Sequence, residues 1–182
     1  LKRIEDVSFL RNFQFAEDKG PTSHAVKPKE YISIDNFYTT TIYEKGAELI
    51  RMLELLLGHE RFMKGINNYI RTFDGKAATT EDFIYSVIKG AYPLGENCTF
   101  DIEKFKHWYY QSGTPKVYVS QSWDSDNSIL NVSFEQKLDN SSINKNKEMV
   151  IPILYSCYSN EKGREPIIED SLFVLDKKKK NL

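Results

Sequence analysis

The residue best placed to do chemistry in this sequence is a tyrosine, Tyr43, at the start of a strongly amphipathic helical pattern. A phenol can donate a hydrogen bond to a negatively charged oxygen, and the N-terminus of a helix also favours anions. In peptide hydrolysis, a donor aimed at the tetrahedral oxyanion contributes about 3 kcal/mol. The structural alternative is a tyrosine that packs at a helix end with its hydroxyl in water, because tyrosine is commonly half-buried. Glu44 could orient Tyr43, but an acid in the first turn more simply stabilises the helix dipole.

The sequence contains no credible set of metal ligands. His59 and Glu60 begin the zinc pattern H-E-x-x-H, but the position four residues after the histidine is Met63, a poor zinc ligand. Gly58 also makes His59 a helix-start residue rather than a mid-helix one. The remaining histidines and the cysteines are dispersed: His24, His107, Cys98 and Cys157. We therefore expect no metal bound by this chain alone.

The elements that must position Tyr43 are helical up to about residue 112. The clearest apolar stripe runs from Ile42 to Leu57, and Gly58 follows as a C-terminal cap. Near the N-terminus a partial apolar pattern predicts a short helix that ends near Phe15. Weaker stripes predict further helices at about residues 62–70, 80–92 and 101–112, with Thr79 or Thr80 as the N-cap of the second.

After Pro115 the apolar period changes from 3.6 to 2, which predicts short antiparallel strands packed as a small sandwich. Turn residues separate these strands at residues 124–127, 139–142 and 160–163. The lysine run at 177–180 is interpreted as a solvated tail or loop end after the last strand. The predicted fold class is therefore α+β, with an all-helical segment over residues 1–112 and a small antiparallel β-sandwich over residues 113–182.

Composition excludes several classes of protein. The 182 residues carry a formal net charge of −1, which argues against a nucleic-acid binder because phosphate recognition needs a basic surface. No apolar run approaches the roughly 20 residues that span a bilayer. Two distant cysteines do not make a disulfide framework, and reduced thiols suit a reducing compartment, so we expect a cytoplasmic protein.

Three blocks of sequence together resemble one family of enzymes. Residues 35–48 read DNFYTTTIYEKGAE, residues 15–21 read FAEDKGP with His24 and Pro28 after them, and residues 108–115 read WYYQSGTP. In this order they resemble the aminopeptidase N-type (alanyl aminopeptidase) zinc metallopeptidases of the gluzincin family. The resemblance spans nearly the whole chain.

The resemblance implies a part of a zinc aminopeptidase, covering the helical C-terminal part of a thermolysin-like catalytic domain and the β-sandwich that follows it. Tyr43 matches the family's catalytic tyrosine, which stabilises the oxyanion. Tyr38 matches a residue that lines the substrate pocket, although ordinary aromatic packing explains it equally well. Asp35 matches a substrate-binding position at which relatives often have asparagine.

Zinc is the cofactor implied for the intact protein, and peptides are its implied substrates. Its metal ligands and general base would lie before Leu1, so we expect neither zinc nor activity in this chain alone. Half of a catalytic domain would expose apolar surface, which favours self-association. The alternative is a non-catalytic β-sandwich module with a helical appendage that acts in protein interaction.

Overall fold

The computed structural model describes residues 1–94, 96–138, 147–158 and 165–182. The chain divides into two compact units, one comprising Leu1–Gly46 with Glu103–Leu182 and the other Ala47–Ile102. Helices precede antiparallel strands along the sequence, which confirms the predicted α+β class. None of the helices in the described ranges is both long and apolar enough to cross a bilayer.

The N-terminal helical region is longer than its apolar pattern predicts. It is a continuous run of three segments: α1 (Lys2–Phe9), a π-helical segment (Leu10–Gln14) and α2 (Phe15–Lys19). The prediction that this helix ends near Phe15 is wrong. Its later turns bury the polar side chains of Gln14 and Asp18, which a pattern of apolar residues cannot reveal. The helix ends where the backbone of Gly20 becomes extended.

A second continuous helix carries the predicted apolar stripe. It begins with a π-helical turn (Thr41–Lys45) and continues as α3 (Gly46–Leu57). The stripe is buried at Leu49, Leu53, Leu56 and Leu57. The same spacing of four residues extends backwards to Lys45 and Thr41, which are also buried. The buried face of this helix therefore starts with two polar residues that the apolar pattern leaves out.

The unit comprising Ala47–Ile102 contains two closely packed helices, α4 (His59–Phe73) and α5 (Thr80–Ala91). Gly65 permits their approach, since a Cβ added there would lie 2.4 Å from the carbonyl oxygen of Val87. The predicted N-cap of α5 is confirmed at Thr79, whose hydroxyl accepts a hydrogen bond from the backbone of Asp82.

The C-terminal part of the chain is a small two-sheet structure. After α6 (Ile102–Tyr110) it contains β1 (Pro115–Asp124), β2 (Ile129–Leu138), β3 (Ile151–Tyr158), β4 (Pro166–Leu175) and β5 (Lys179–Asn181). One sheet has the order β1-β2-β5, the other pairs β3 with β4, and both are antiparallel. The rings of Phe134 on β2 and Phe173 on β4 lie 4.9 Å apart, so the core joins the two sheets.

The lysine run of this region differs from its prediction, and one of the three predicted turns lies within the described residues. The lysine run is not a solvated tail, because Lys179–Asn181 forms β5 and pairs with β2. Its backbone extends the sheet while the Lys180 ammonium donates to the carbonyl of Val174 at 2.9 Å. The turn predicted at 124–127 is present, with Asp124 accepting from the backbone of Asn127. The turns predicted at 139–142 and 160–163 lie outside the described residues.

Side chains of α6 bind the segment that leads into β3. The indole of Trp108 donates to the carbonyl oxygen of Val150 at 2.8 Å. The His107 Nδ1 lies 2.7 Å from the carbonyl oxygen of Glu148, so this nitrogen must carry the proton. Helix and sandwich residues thus share one compact unit, and the predicted domain division at residues 112 and 113 stays a prediction.

Candidate active site around Tyr43

Tyr43 lies in the middle of the π-helical turn Thr41–Lys45, with 57% of its surface exposed. The ring of Tyr38, itself 67% exposed, stacks beside it with the centroids 6.4 Å apart and the planes inclined by 25°. The structure therefore brings together two of the three residues predicted for the site. Their exposure leaves the Tyr43 phenol accessible to a bound molecule.

Asp35, the third predicted residue, is exposed on a 3-10 turn (Ile34–Phe37) that precedes Tyr38. Two hydrogen bonds hold the turn. The Ser33 hydroxyl accepts from the backbone N–H of Asp35, and the side-chain oxygen of Asn36 accepts from the backbone N–H of Ser33. This reciprocal pattern is a capping box. It fixes the backbone of Asp35 and leaves its carboxylate free to face solvent. The substrate-contact role of Asp35 stays a prediction.

The start of the Tyr43 helix is capped by a carboxylate from another helix. Glu17, on α2, accepts hydrogen bonds from the backbone N–H of Thr41 at 3.0 Å and from the Thr40 hydroxyl at 2.8 Å. The Thr41 hydroxyl donates to the same carboxylate. His24 lies behind Glu17, with its Nε2 3.6 Å from the carboxylate. Glu17 thus occupies the place where a helix N-terminus attracts an anion.

The other backbone donors of this turn are also satisfied. The Ile42 N–H donates to the Thr39 hydroxyl at 3.3 Å, and the Tyr43 N–H donates to the Thr39 carbonyl at 3.2 Å. The sequence suggested that the helix N-terminus could help to bind an anion. Because these N–H groups pair with Thr39, and Glu17 pairs with Thr40 and Thr41, the phenol of Tyr43 remains as an exposed donor at this turn.

A buried ion pair holds the far end of the same turn. The Lys45 ammonium lies 2.9 Å from the Asp18 carboxylate, and their side chains are 6% and 0% exposed. Lys45 also donates to the carbonyl oxygen of Gly113 at 3.0 Å. Asp18 in turn accepts from the backbone of Gly113 at 3.1 Å and from the hydroxyl of Thr114 at 3.0 Å. Every polar contact needed to stabilise two buried charges is present.

The protonation of both carboxylates follows from these contacts. Burial acts to raise the pKa of Glu17, but the hydrogen bonds from Thr41 and Thr40 outweigh it, so the pKa lies below its ordinary 4.5. Burial likewise acts to raise the pKa of Asp18, but the charge of Lys45 and the hydrogen bonds from Gln14, Lys45 and the Gly113 backbone together outweigh it, so the pKa lies below its ordinary 3.8. A carboxyl group whose pKa is lower in the folded than in the unfolded protein stabilises the fold at pH values above its unfolded pKa. This stabilisation is lost as the pH falls through the folded pKa.

Sequence reasoning missed Glu17, Asp18, Thr41 and Lys45 as organisers of the site. All four lie within the two blocks that carry the family resemblance, but they were not assigned a role there. Thr41 alone could have been found from a local pattern, because a threonine directly before an apolar stripe is typical of a helix start. No local signal could pair Asp18 with Lys45, since 27 residues separate them.

The described residues do not fit a metal ion. No group of three or more histidine, cysteine, aspartate or glutamate side chains could hold one within residues 1–94, 96–138, 147–158 and 165–182. His59 begins α4 after Gly58, which has a φ of 77°, and its ring pairs with Glu54 at 2.7 Å. Cys98 and Cys157 are both free thiols.

Two family descriptions match the chain. The description "Peptidase family M1 domain" matches residues 5–109. The description "Domain of unknown function (DUF3458) Ig-like fold" matches residues 113–182. The second agrees with the antiparallel two-sheet structure that follows the helices.

Curated relatives are much longer than this chain. It is similar to aminopeptidase N of Haemophilus influenzae, at 46% identity over 75% of this chain and 15% of that protein. It is also similar to aminopeptidase N of Escherichia coli, at 36% identity over 92% of this chain and 19% of that protein. The chain thus spans between 15% and 19% of these two relatives.

A solved structure shares the fold. The crystal structure of Legionella pneumophila aminopeptidase A in complex with aspartic acid aligns with a TM-score of 0.71. The alignment covers 87% of this chain and 17% of that chain, at 24% sequence identity.

We predict that Lys45→Met destabilises the chain by about 3–5 kcal/mol, because it leaves the buried Asp18 carboxylate without its counter-charge. Urea unfolding followed by circular dichroism measures the change. The matched control is Lys2→Met, which breaks an exposed pair with Asp6 and should leave the midpoint of urea unfolding unchanged.

A second variant separates charge from packing. Asp18→Asn combined with Lys45→Met removes both buried charges and should be less destabilised than Lys45→Met alone. If Lys45→Met unfolds at the same urea concentration as the control, the buried ion pair does not constrain the fold.

Proposed function

This chain belongs to peptidase family M1, and on that basis we propose that it is part of a zinc-dependent aminopeptidase that hydrolyses N-terminal residues from peptides. The observation that carries the proposal is the accessible phenol of Tyr43 on a turn held at both ends, within a segment that matches the family. The length of the relatives supports placing the remaining catalytic groups in parts of the intact enzyme outside this chain.

In this proposal Tyr43 is a catalytic residue that acts as a hydrogen-bond donor. Attack of water on the scissile carbonyl generates a tetrahedral oxyanion, and the phenol donates to that oxygen as its charge develops. Because the ring is exposed and the backbone donors of the turn are already paired, the hydroxyl is the group that can make this contact. Tyr38, stacked beside it, would contact the first side chain of the substrate, and Asp35 would line the same region.

The zinc ion belongs, in this proposal, to the intact enzyme. It would supply the Lewis acidity of a metallopeptidase, and its ligands would come from outside this chain. The described residues contribute an oxyanion donor and part of a pocket wall instead of a metal centre.

We predict that the isolated chain binds no stoichiometric zinc and does not cleave aminoacyl reporter substrates, because the described residues form no ligand cluster. Metal analysis after dialysis and a fluorogenic aminopeptidase assay test this, with the intact enzyme as the positive control. One tightly held zinc ion per isolated chain would overturn the assignment of the ligands to other parts of the protein.

We also propose that the isolated chain self-associates through apolar side chains of its N-terminal helix. Leu1, Ile4, Phe9 and Phe13 are all exposed, and the rings of Phe9 and Phe13 stack with their centroids 4.5 Å apart. Ile4, Phe9 and Phe13 line a shallow depression on the helix surface together with Glu5, Ser8 and Asn12. Contiguous exposed apolar surface of this kind drives association in water.

Sedimentation at increasing concentration should show dimers or larger species, and Phe13→Glu should shift the distribution towards monomer. Leu94→Glu is the matched control, since Leu94 is an exposed apolar residue that does not belong to this helix. A monomer at all concentrations, with no binding of a hydrophobic dye, would contradict the proposal.

In the intact enzyme, Tyr43→Phe should lower kcat by about a hundredfold or more, because it removes the oxyanion donor and keeps the ring. KM and zinc content should change little, since the oxyanion exists only near the transition state. Steady-state kinetics measure both constants. Tyr158→Phe, at an exposed tyrosine of β3, is the control for loss of a phenol elsewhere. Turnover of Tyr43→Phe within about threefold of wild type would make Tyr43 a purely structural residue.

A further inference from the structure

The turn that carries Tyr43 is held by two consecutive carboxylates of one helix. Glu17 binds its first residues through the backbone N–H of Thr41 and the hydroxyls of Thr40 and Thr41. Asp18 binds its last residue through the ammonium of Lys45. Tyr43 lies between these two points of attachment, so α2 determines where the turn begins and where it ends.

The conformation of this turn makes such attachment necessary. A π-helical turn contains one more residue than an α-helical turn and is rarely stable on its own. The Tyr43 ring is 57% exposed, so packing alone does little to fix its direction. If the first residues of the turn were released, relaxation to α-helix would shift the register by one residue. One residue corresponds to a rotation of about 100° around the helix axis.

We propose that Glu17 is a positioning residue for Tyr43: its carboxylate holds Thr40 and Thr41 so that the π-helical turn directs the phenol to the oxyanion. This inference rests on the proposed function of Tyr43. Glu17 touches neither substrate nor metal in this role, and it acts only through the backbone and hydroxyl groups at the start of the turn.

The burial of Glu17 and the position of His24 distinguish Glu17 from a carboxylate in a surface ion pair. Glu17 has only 21% of its side chain exposed, and the His24 Nε2 lies 3.6 Å from its carboxylate. Replacing one carboxylate oxygen by an amide nitrogen removes the negative charge and one of two acceptors, so that a single oxygen remains to accept from the Thr41 N–H and the two hydroxyls. Glu17→Gln therefore leaves the size of the side chain unchanged while it releases part of the turn.

The test is a double-mutant cycle in the intact zinc-loaded enzyme, with Tyr43→Phe, Glu17→Gln and the two combined. Glu17→Gln alone should lower kcat by about tenfold or more, with KM within about threefold, because small misplacements of a catalytic group cost rate and not binding. In the Tyr43→Phe background the same substitution should lower kcat by less than about threefold, because the hydroxyl that it positions is already gone.

The controls distinguish the possible failures. Glu5→Gln, at an exposed glutamate of α1, should keep wild-type kinetics. Zinc content and the fraction of folded protein are measured for every variant at the assay temperature. If the kcat loss of Glu17→Gln equals its loss of folded protein, the residue only stabilises the fold and the inference is wrong.

The cycle also separates this inference from the proposed function. If Tyr43→Phe lowers kcat but Glu17→Gln lowers it equally in both backgrounds, Glu17 does not act through Tyr43 and only the inference falls. If Tyr43→Phe itself leaves kcat unchanged, the proposed function of Tyr43 and the inference built on it both fall.

Discussion

The interaction on which this part of the molecule depends is the buried ion pair between Asp18 and Lys45. Two charges removed from water are costly unless each finds a partner and further hydrogen bonds. Gly113 meets this requirement from both sides, because its carbonyl accepts from Lys45 and its N–H donates to Asp18. Its φ of 88° lies in the left-handed region that favours glycine.

This network connects three distant parts of the sequence. Asp18 ends the N-terminal helix, Lys45 ends the turn that carries Tyr43, and Gly113 precedes the first strand. Each comes from a different one of the three sequence blocks that resemble the aminopeptidases. The blocks are separate in sequence because they belong to different elements, and one set of buried charges connects them in the structure.

Much of the architecture was predictable because it follows local rules. The apolar stripe of α3, the Thr79 cap of α5 and the change to a strand period after Pro115 are each encoded in neighbouring residues. The wrong predictions share a cause, because they occur where polar groups are buried or paired with residues distant in sequence. Asp18 is buried in a turn of the first helix that lies beyond its apolar pattern, and Lys180 lies in a strand although a lysine run suggests solvent.

The candidate site shows the same division. The resemblance predicts Tyr43 and Tyr38 as site residues, and the structure places their rings side by side. Glu17 could not be identified from the sequence, because its importance arises from an acceptor position that exists only after two helices meet. The π-helical form of the turn was equally hidden, since an extra residue in one turn changes no local propensity.

The residues of the matching blocks therefore serve two separate purposes. Asp18, Lys45 and Gly113 hold elements of this chain together through a buried ion pair and its hydrogen bonds. Tyr43 differs because its exposed phenol contributes little to packing. A block match at the buried residues thus argues for the fold, whereas the match at Tyr43 argues for the chemistry. A variant that kept the ion pair but lost the phenol would retain the scaffold without the oxyanion donor that we propose.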